Sequence, residues 1–298
     1  MNSIEANIRG AAYLVRKQFR KARFKTGLAI VSVITILALL SPIIAPFPEE
    51  GLGYVPENAV AKARLPPNPV NIFGTDTRGR DLFSRVLFGA GSALVEILIV
   101  VLTSLSIGII IGVSAAYFKG VVEHVLNYLV ELFVSIPAII IALALRLAIG
   151  PGLYVVILGL ITTWWSWYAR IAYIYARSIV EMDYVVLARL SGLSSLKIIY
   201  RHVLRNTIPP VLVQAVTDMG SVLLEATSIN FIGLGVPLNS PEWGVIMLEG
   251  LPVITIAPWI TMFPGIFLLI TALGFSLIGD SLREELDPRM RRRWRLWF

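Results

Sequence analysis

Six runs of apolar residues in this chain reach the length at which an α-helix crosses a bilayer, and no other feature constrains the fold as tightly. A helix rising about 1.5 Å per residue needs roughly 20 mainly apolar residues to cross a hydrocarbon core of about 30 Å. The runs lie at about 27–46, 92–118, 122–146, 152–176, 210–235 and 256–279. Lipid supplies no hydrogen bonds, so each run must satisfy its own backbone, and a helix does that. The expected fold is therefore an all-α integral membrane protein with six transmembrane helices. Composition agrees: 56% of residues are hydrophobic and 15% charged, where soluble domains carry about a quarter charged. The first run is too long for a cleaved signal peptide and lacks its small-residue exit, so it reads as a retained anchor.

The cations set the orientation. Residues 1–26 hold seven Lys/Arg, 119–121 one, 177–205 five and the tail from 283 six, which puts 19 of the 26 on one side. The 47–91 loop holds five and 236–255 none. Positive residues collect in the cytoplasm, so both termini and the 177–205 segment are expected there, in a multi-pass protein of the cell membrane. This placement accounts for the net charge of +7 without nucleic acid. In 12–24, Arg16, Lys17, Arg20, Lys21 and Arg23 alternate with Ala12, Val15, Phe19 and Phe24. Such a helix can lie on anionic membrane lipids, or the cations can serve topology alone. The organisation expected is a head, first span and external loop over 1–91, a five-helix core over 92–280 and a basic tail over 281–298.

Chemistry-bearing motifs are absent from the sequence. It has no cysteine and only His124 and His202, so neither a cysteine-ligated nor a histidine-rich metal site is expected. There is no G-x-x-x-x-G-K-[ST], H-E-x-x-H or G-x-S-x-G. No catalytic residue and no bound cofactor is therefore expected, and energy for transport would come from another subunit.

The segment between the fourth and fifth runs is where a partner is expected. Asp183 and Tyr184 open a short helix, with the carboxylate near its N-terminus. Ala188, Ser191 and Gly192 are small enough to let a partner approach, and Gly192 can end the helix in the left-handed conformation. Ser194 is expected to cap a second helix over 195–204, with Leu196, Ile199 and Val203 as its apolar stripe. Pro209-Pro210 are expected to stop it. The result is an elbow, which an ordinary packed loop would also fit.

These residues resemble the cytoplasmic loop of permease subunits in binding-protein-dependent ABC importers, and more closely the dipeptide/oligopeptide/nickel branch of the second-permease type. The branch pattern D-Y-V-x-A-A-R-x-x-G-A-S…R-H-x-L-P-N…P-P is met by Asp183, Tyr184, Val185, Val186, Leu187, Ala188, Arg189, Leu190, Ser191, Gly192, Leu193 and Ser194. It continues through Arg201, His202, Leu204 and Asn206 to Pro209 and Pro210. Val186 stands where the family has Glu, Leu187 where it has the first Ala, and Arg205 where it has Pro. "FGTDTRGRDLFSRVLFGA" (73–90), "SINFIGLGVPLNSPEWGVIM" (228–247) and "GDSLREELDPRMR" (279–291) are similar to further segments of the family.

The resemblance implies a second permease subunit, two ABC ATPase subunits carrying ATP and Mg, and an extracytoplasmic solute-binding protein. It implies that the elbow is a pair of coupling helices resting on an ATPase, with Leu196 and Arg201 in the contact. Short peptides are the implied solute, with oligosaccharides as an alternative and nickel behind them. A stand-alone secondary carrier is the reading from a different class, and the chain lacks the proton-relay series it would need.

Glu96, Glu131, Arg146, Asp218 and Glu225 fall in or near the spans. Such charges face the bundle interior or a wet pathway. Both a pathway and a packing role stay open for Glu131, Ser135, Asp218 and Glu225. Pro137 is expected to bend the third span. In the external loop Asp76, Arg78, Arg80, Asp81 and Arg85 are expected to form ion pairs that are individually weak because they are exposed. They either order the loop or receive the binding protein.

Overall fold

The computed structural model describes residues 18–19 and 21–286; the expected amphipathic head and basic tail lie mostly outside the described residues. These fold into helices alone, with one isolated bridge, Thr75–Asp81. The long elements are α1 (Ala22–Ile44), α2 (Leu82–Phe118), α3 (Gly120–Val134), α4 (Ala138–Ile149) and α5 (Leu153–Val180). After them come α6 (Asp183–Leu190), α7 (Ser195–Ile198), a π-helical stretch Ile199–Leu204, α8 (Arg205–Phe231), α9 (Trp243–Gly250) and α10 (Trp259–Leu286). Five helices are long and apolar enough to cross a membrane: α1, α2, α5, the continuous Ser195–Phe231 and α10.

The sixth expected span, 122–146, is not a straight helix. α3 and α4 meet at 80°. Pro137 has no N–H for the carbonyl of Phe133, which is bonded instead by Ile136 N at 3.3 Å. The Ser135 hydroxyl donates to the carbonyl of Glu131 and not to its carboxylate. The bent pair is either one broken span or a re-entrant excursion.

The fifth span also departs from expectation. Pro209-Pro210 lie inside α8 and do not stop the preceding helix. The absent proline N–H groups strand the carbonyls of Arg205 and Asn206, next to the wide π turn that absorbs the misfit. Ser194 holds the N-cap position but makes no side-chain cap bond.

Helices in lipid gain nothing from burying apolar surface against each other, so association depends on close contact. α2 carries Gly108-x-x-x-Gly112, and a β-carbon there would sit 2.7 Å from the Ala169 nitrogen and 2.3 Å from the Ala169 oxygen of α5. Ala169, Ala172 and Ala176 line the opposing surface, all buried. A larger residue at Gly112 would push the helices apart.

At the opposite end from the elbow, the 47–91 loop closes over the bundle. Asp81 is the N-cap of α2, its carboxylate accepting from Ser84 N and Ser84 Oγ at 2.8 and 2.7 Å. Four charges lie beneath. Asp76 Oδ2 accepts from Arg80 Nε and Arg85 Nη1 at 2.7 Å each, and Glu249 Oε2 accepts from Arg80 Nη2 at 2.8 Å and Arg85 Nη1 at 2.7 Å. Three of these side chains are 0% exposed and Glu249 is 7% exposed. The expected weak surface pairs are thus a buried, charge-neutral network, and Glu249 of α9 was not foreseen in it. Arg78 alone of the loop's expected ion-pairing residues is exposed.

α9 is fixed by Trp243, whose Nε1 donates to the Val86 carbonyl at 3.0 Å. Its cap, Glu242, accepts from Val245 N at 2.9 Å. Glu242, Glu96 of α2 and Asn230 of α8 are all at most 1% exposed, and each has one side-chain atom without a partner. Burial pushes the Glu242 carboxyl up to about 7, against the N–H groups of Gly244 and Val245, which pull it down.

Two predictions follow from this end of the bundle. Removing one partner of a buried ion pair leaves the others uncompensated, so Glu249→Gln should lower stability by about 3 kcal/mol. Arg78→Gln should change nothing measurable. Thermal unfolding in detergent compares them. Glu242 has a folded-state pKa near 7 above its ordinary 4.5, so the fold holds its proton more tightly than the unfolded chain does. Its stabilising contribution is full below the ordinary value and is lost as pH rises through about 7. Glu242→Gln should flatten that loss; an unchanged pH profile would remove Glu242 as its source.

Candidate functional site

The elbow is built on the ends of α2 and α5. Val185, Ile198 and Val203 are fully buried against Val113, Ala116, Tyr117, Ala176, Ile179 and Val180. The buried side of the second arm is therefore Ile198 and Val203. Leu196, expected in that stripe, points outward and is 77% exposed. Arg189 lies over the Tyr117 ring at 5.2 Å, a cation–π contact that holds α6 on α2. Tyr184 ties the two arms together: its ring is 6.0 Å from that of His202, and its hydroxyl accepts from Asn206 Nδ2 at 3.3 Å. Below the elbow, Arg177 reaches Glu123 at 3.2 Å and Glu181 at 3.4 Å.

The turn itself is open. Gly192 has φ +75°, the left-handed region where a side chain is strained, and no atom lies within 4 Å of where its β-carbon would be. The Ser191 hydroxyl turns back to the Leu187 carbonyl. Leu187 and Leu190 are 61% and 79% exposed, and Val186, Leu193 and Tyr200 are exposed beside them. Asp183, Ser194 and Arg201 are exposed too, and Ala188 is half-buried. Of the twelve residues expected at the elbow, eleven are exposed and Ala188 is half-buried. The centre of the elbow surface is apolar and its rim is polar, as in protein–protein contacts.

The residues expected in a pathway or in packing divide into two places. Asp218 and Glu225 share one side of α8, toward the tryptophans of α5. Trp167 Nε1 donates to Asp218 Oδ2 at 3.1 Å, Gln214 Nε2 to Asp218 Oδ1 at 2.8 Å, and Trp164 Nε1 to Glu225 Oε2 at 2.8 Å. Trp164 and Trp167 were not singled out in the sequence, although their i, i+3 spacing opposite two carboxylates was readable. Glu131 lies on α3 and Ser135 at its C-cap, on the helix that packs on α5 through Phe133 and Trp165, and both are exposed. Arg146 donates to the Gly235 carbonyl at 3.3 Å.

Among the described residues no group of three or more His, Cys, Asp or Glu is arranged to hold a metal ion.

The comparisons with known proteins agree with this architecture. The family model described as "Binding-protein-dependent transport system inner membrane component" matches residues 108–292. A putative peptide transport system permease protein of Brucella suis is 36% identical over 276 residues, covering 93% of this chain and 91% of that protein. A probable D,D-dipeptide transport system permease protein of Escherichia coli is 37% identical over 87% of this chain and 86% of its own length. A nickel transport system permease protein of Escherichia coli is 32% identical over 91% of this chain and 97% of its own length. A match over more than half the chain, with relatives spanning nearly all of it, settles the assignment: the chain belongs to the family of inner membrane components of binding-protein-dependent transport systems.

Proposed function

We propose that this chain is one of two permease subunits of an ATP-driven ABC importer. With the second permease it forms the pathway for short peptides handed over by an extracytoplasmic solute-binding protein. It does no catalysis; ATP and Mg act on two partner ATPases. The observation that carries this reading is the elbow. It is an exposed apolar surface with an open glycine at its tip, seated firmly on the ends of two spans. Leu187, Leu190, Leu193 and Leu196 are the contacts for an ATPase groove, and Arg189, Lys197 and Arg201 add charge complementarity at its rim. Peptides rank first as solute because two of the relatives described above are named for peptide or dipeptide transport. The elbow faces the cytoplasm on the count of positive residues.

Gly192→Trp should unseat the ATPase, so that solute-stimulated ATP hydrolysis and uptake fall together, about tenfold or more, in proteoliposomes holding the complete complex. Gly192→Asn, which tolerates the left-handed backbone and stays small, should keep both. Normal stimulation in Gly192→Trp would place the contact elsewhere. Orientation is checked separately. The chain has no cysteine, so Val60→Cys, at a position 94% exposed, and Ser194→Cys should react from opposite faces of sealed vesicles.

A further inference from the structure

α3 and α8 both pack on α5, and these three helices carry charges that the described residues do not neutralise. Arg170, ten residues before the end of α5, is exposed and makes no hydrogen bond or ion pair among the described residues. The same holds for the carboxylate of Glu131 on α3. Contacts between α3 and α5 fix the level of Glu131. The rings of Phe133 and Trp165 are 5.3 Å apart, and Glu123 accepts from Tyr173, so α3 runs antiparallel to α5 with Glu131 level with Trp167. Trp167 is bonded to Asp218 and Trp164 to Glu225. Gln214, Asp218, Ser221, Glu225 and Ser228 recur at helical spacing on one side of α8, and Ser221 and Ser228 are exposed. Beside this stripe the Tyr168 hydroxyl is fully buried, without a hydrogen-bond partner, and within electrostatic range of Asp218.

A stripe of this kind cannot face hydrocarbon: an uncompensated charge at mid-membrane is expensive, and such residues line wet pathways or pair across bundles. Packing alone accounts for Asp218, both of whose oxygens are bonded within the chain. It does not account for Arg170, Glu131 and the exposed Ser221; the Ser228 hydroxyl donates to the Leu224 carbonyl. Arg170 lies six residues beyond Trp164 on α5, which is about 9 Å along the axis and about 120° round it. An extended peptide advances roughly 3.3–3.6 Å per residue, so two to three residues span that distance.

We propose that the α5–α8 face is a solute-reading stretch of the pathway for short zwitterionic peptides. Glu225 takes the α-ammonium beside Trp164, and Arg170 takes the terminal carboxylate about one and two-thirds turns nearer the elbow. This deepens the importer reading and rests on it. Asp218 and the two tryptophans position the stripe, and Glu131 adds negative potential at the same level.

The test uses the complete importer, with second permease, ATPases and binding protein, in proteoliposomes supplied with a zwitterionic tripeptide. Ser221→Cys, the sole cysteine of this chain, should react with a charged, membrane-impermeant thiol reagent, and tripeptide plus ATP should slow that reaction. No reaction would mean that the stripe meets lipid or packed protein, and would overturn the proposal. Glu225→Gln and Arg170→Gln should each cut tripeptide uptake about tenfold, the effect of one charge-assisted hydrogen bond, while peptide-stimulated ATP hydrolysis persists. Glu225→Asp and Arg170→Lys should recover most of it. Unchanged uptake, or uptake and hydrolysis falling together, would overturn the proposal while leaving the importer reading intact. Wild-type complex that accumulates no peptide with ATP would overturn the importer reading itself.

Discussion

The backbone contact between α2 and α5 at Gly108 and Gly112 is the interaction on which the other features rest. In lipid there is no solvent to squeeze two apolar helices together, so the α2–α5 pair holds by van der Waals contact at a separation that only small residues permit. The same seam continues toward the elbow through Val113 and Ala116 on α2 and Ala172 and Ala176 on α5. There it becomes the platform on which Val185, Ile198 and Val203 are seated. The elbow is rigid because the seam beneath it is close. A force applied to Leu187 or Leu190 has no soft layer to spend itself in before it reaches the spans.

The continuity of Ser195–Phe231 gives that force a direction. A separate coupling helix stopped at Pro209-Pro210 would have left a joint between the elbow and the fifth span. Instead one helical rod runs from Ser195, at the exposed tip, to Asn230 beneath the loop end, with a π turn and two prolines as its only irregularities. Asp218 and Glu225 sit on this rod. Both carboxylates are tied to α5 by the indole bonds from Trp164 and Trp167, at 2.8 and 3.1 Å. Elbow and stripe are thus joined by one continuous helix.

Much of this was legible from residue pattern alone, and the failures have specific causes. Apolar length located five spans because hydrocarbon thickness fixes it. Asp183, Gly192 and the small residues marked the elbow because each does a local backbone job. Pro137 marked a break, but not its 80° angle, which depends on what α3 and α4 pack against. Leu196, Ile199 and Val203 were grouped as one stripe, whereas Ile198 and Val203 are the buried positions, because burial there is set by α2 and α5, which lie more than ten residues away in sequence. The loop charges were misjudged for a similar reason: Glu249, the acid that completes the network, lies 164 residues from Arg85. The Gly108-x-x-x-Gly112 pattern was present in the chain and carries its own physical meaning; it needed only to be read beside the alanines of the fourth span.

The distribution of charge separates the buried, neutral network at the loop end from the face proposed to handle solute. At the loop end two arginines meet two carboxylates, and the sum is zero; a buried group of that kind fixes geometry and offers nothing to a ligand. Around α5 three carboxylates stand near Arg170, with Arg283 of α10 within electrostatic range of Asp218 and tryptophan N–H groups holding two of the acids in place. An excess of negative charge in low dielectric attracts an ammonium group more strongly than the same charges would in water. Arg170 sets apart the end where a carboxylate is tolerated. A neutral oligosaccharide has no use for that asymmetry, and a metal cation would be repelled by Arg170. A short peptide with both termini free matches the sign and the spacing of the charges together.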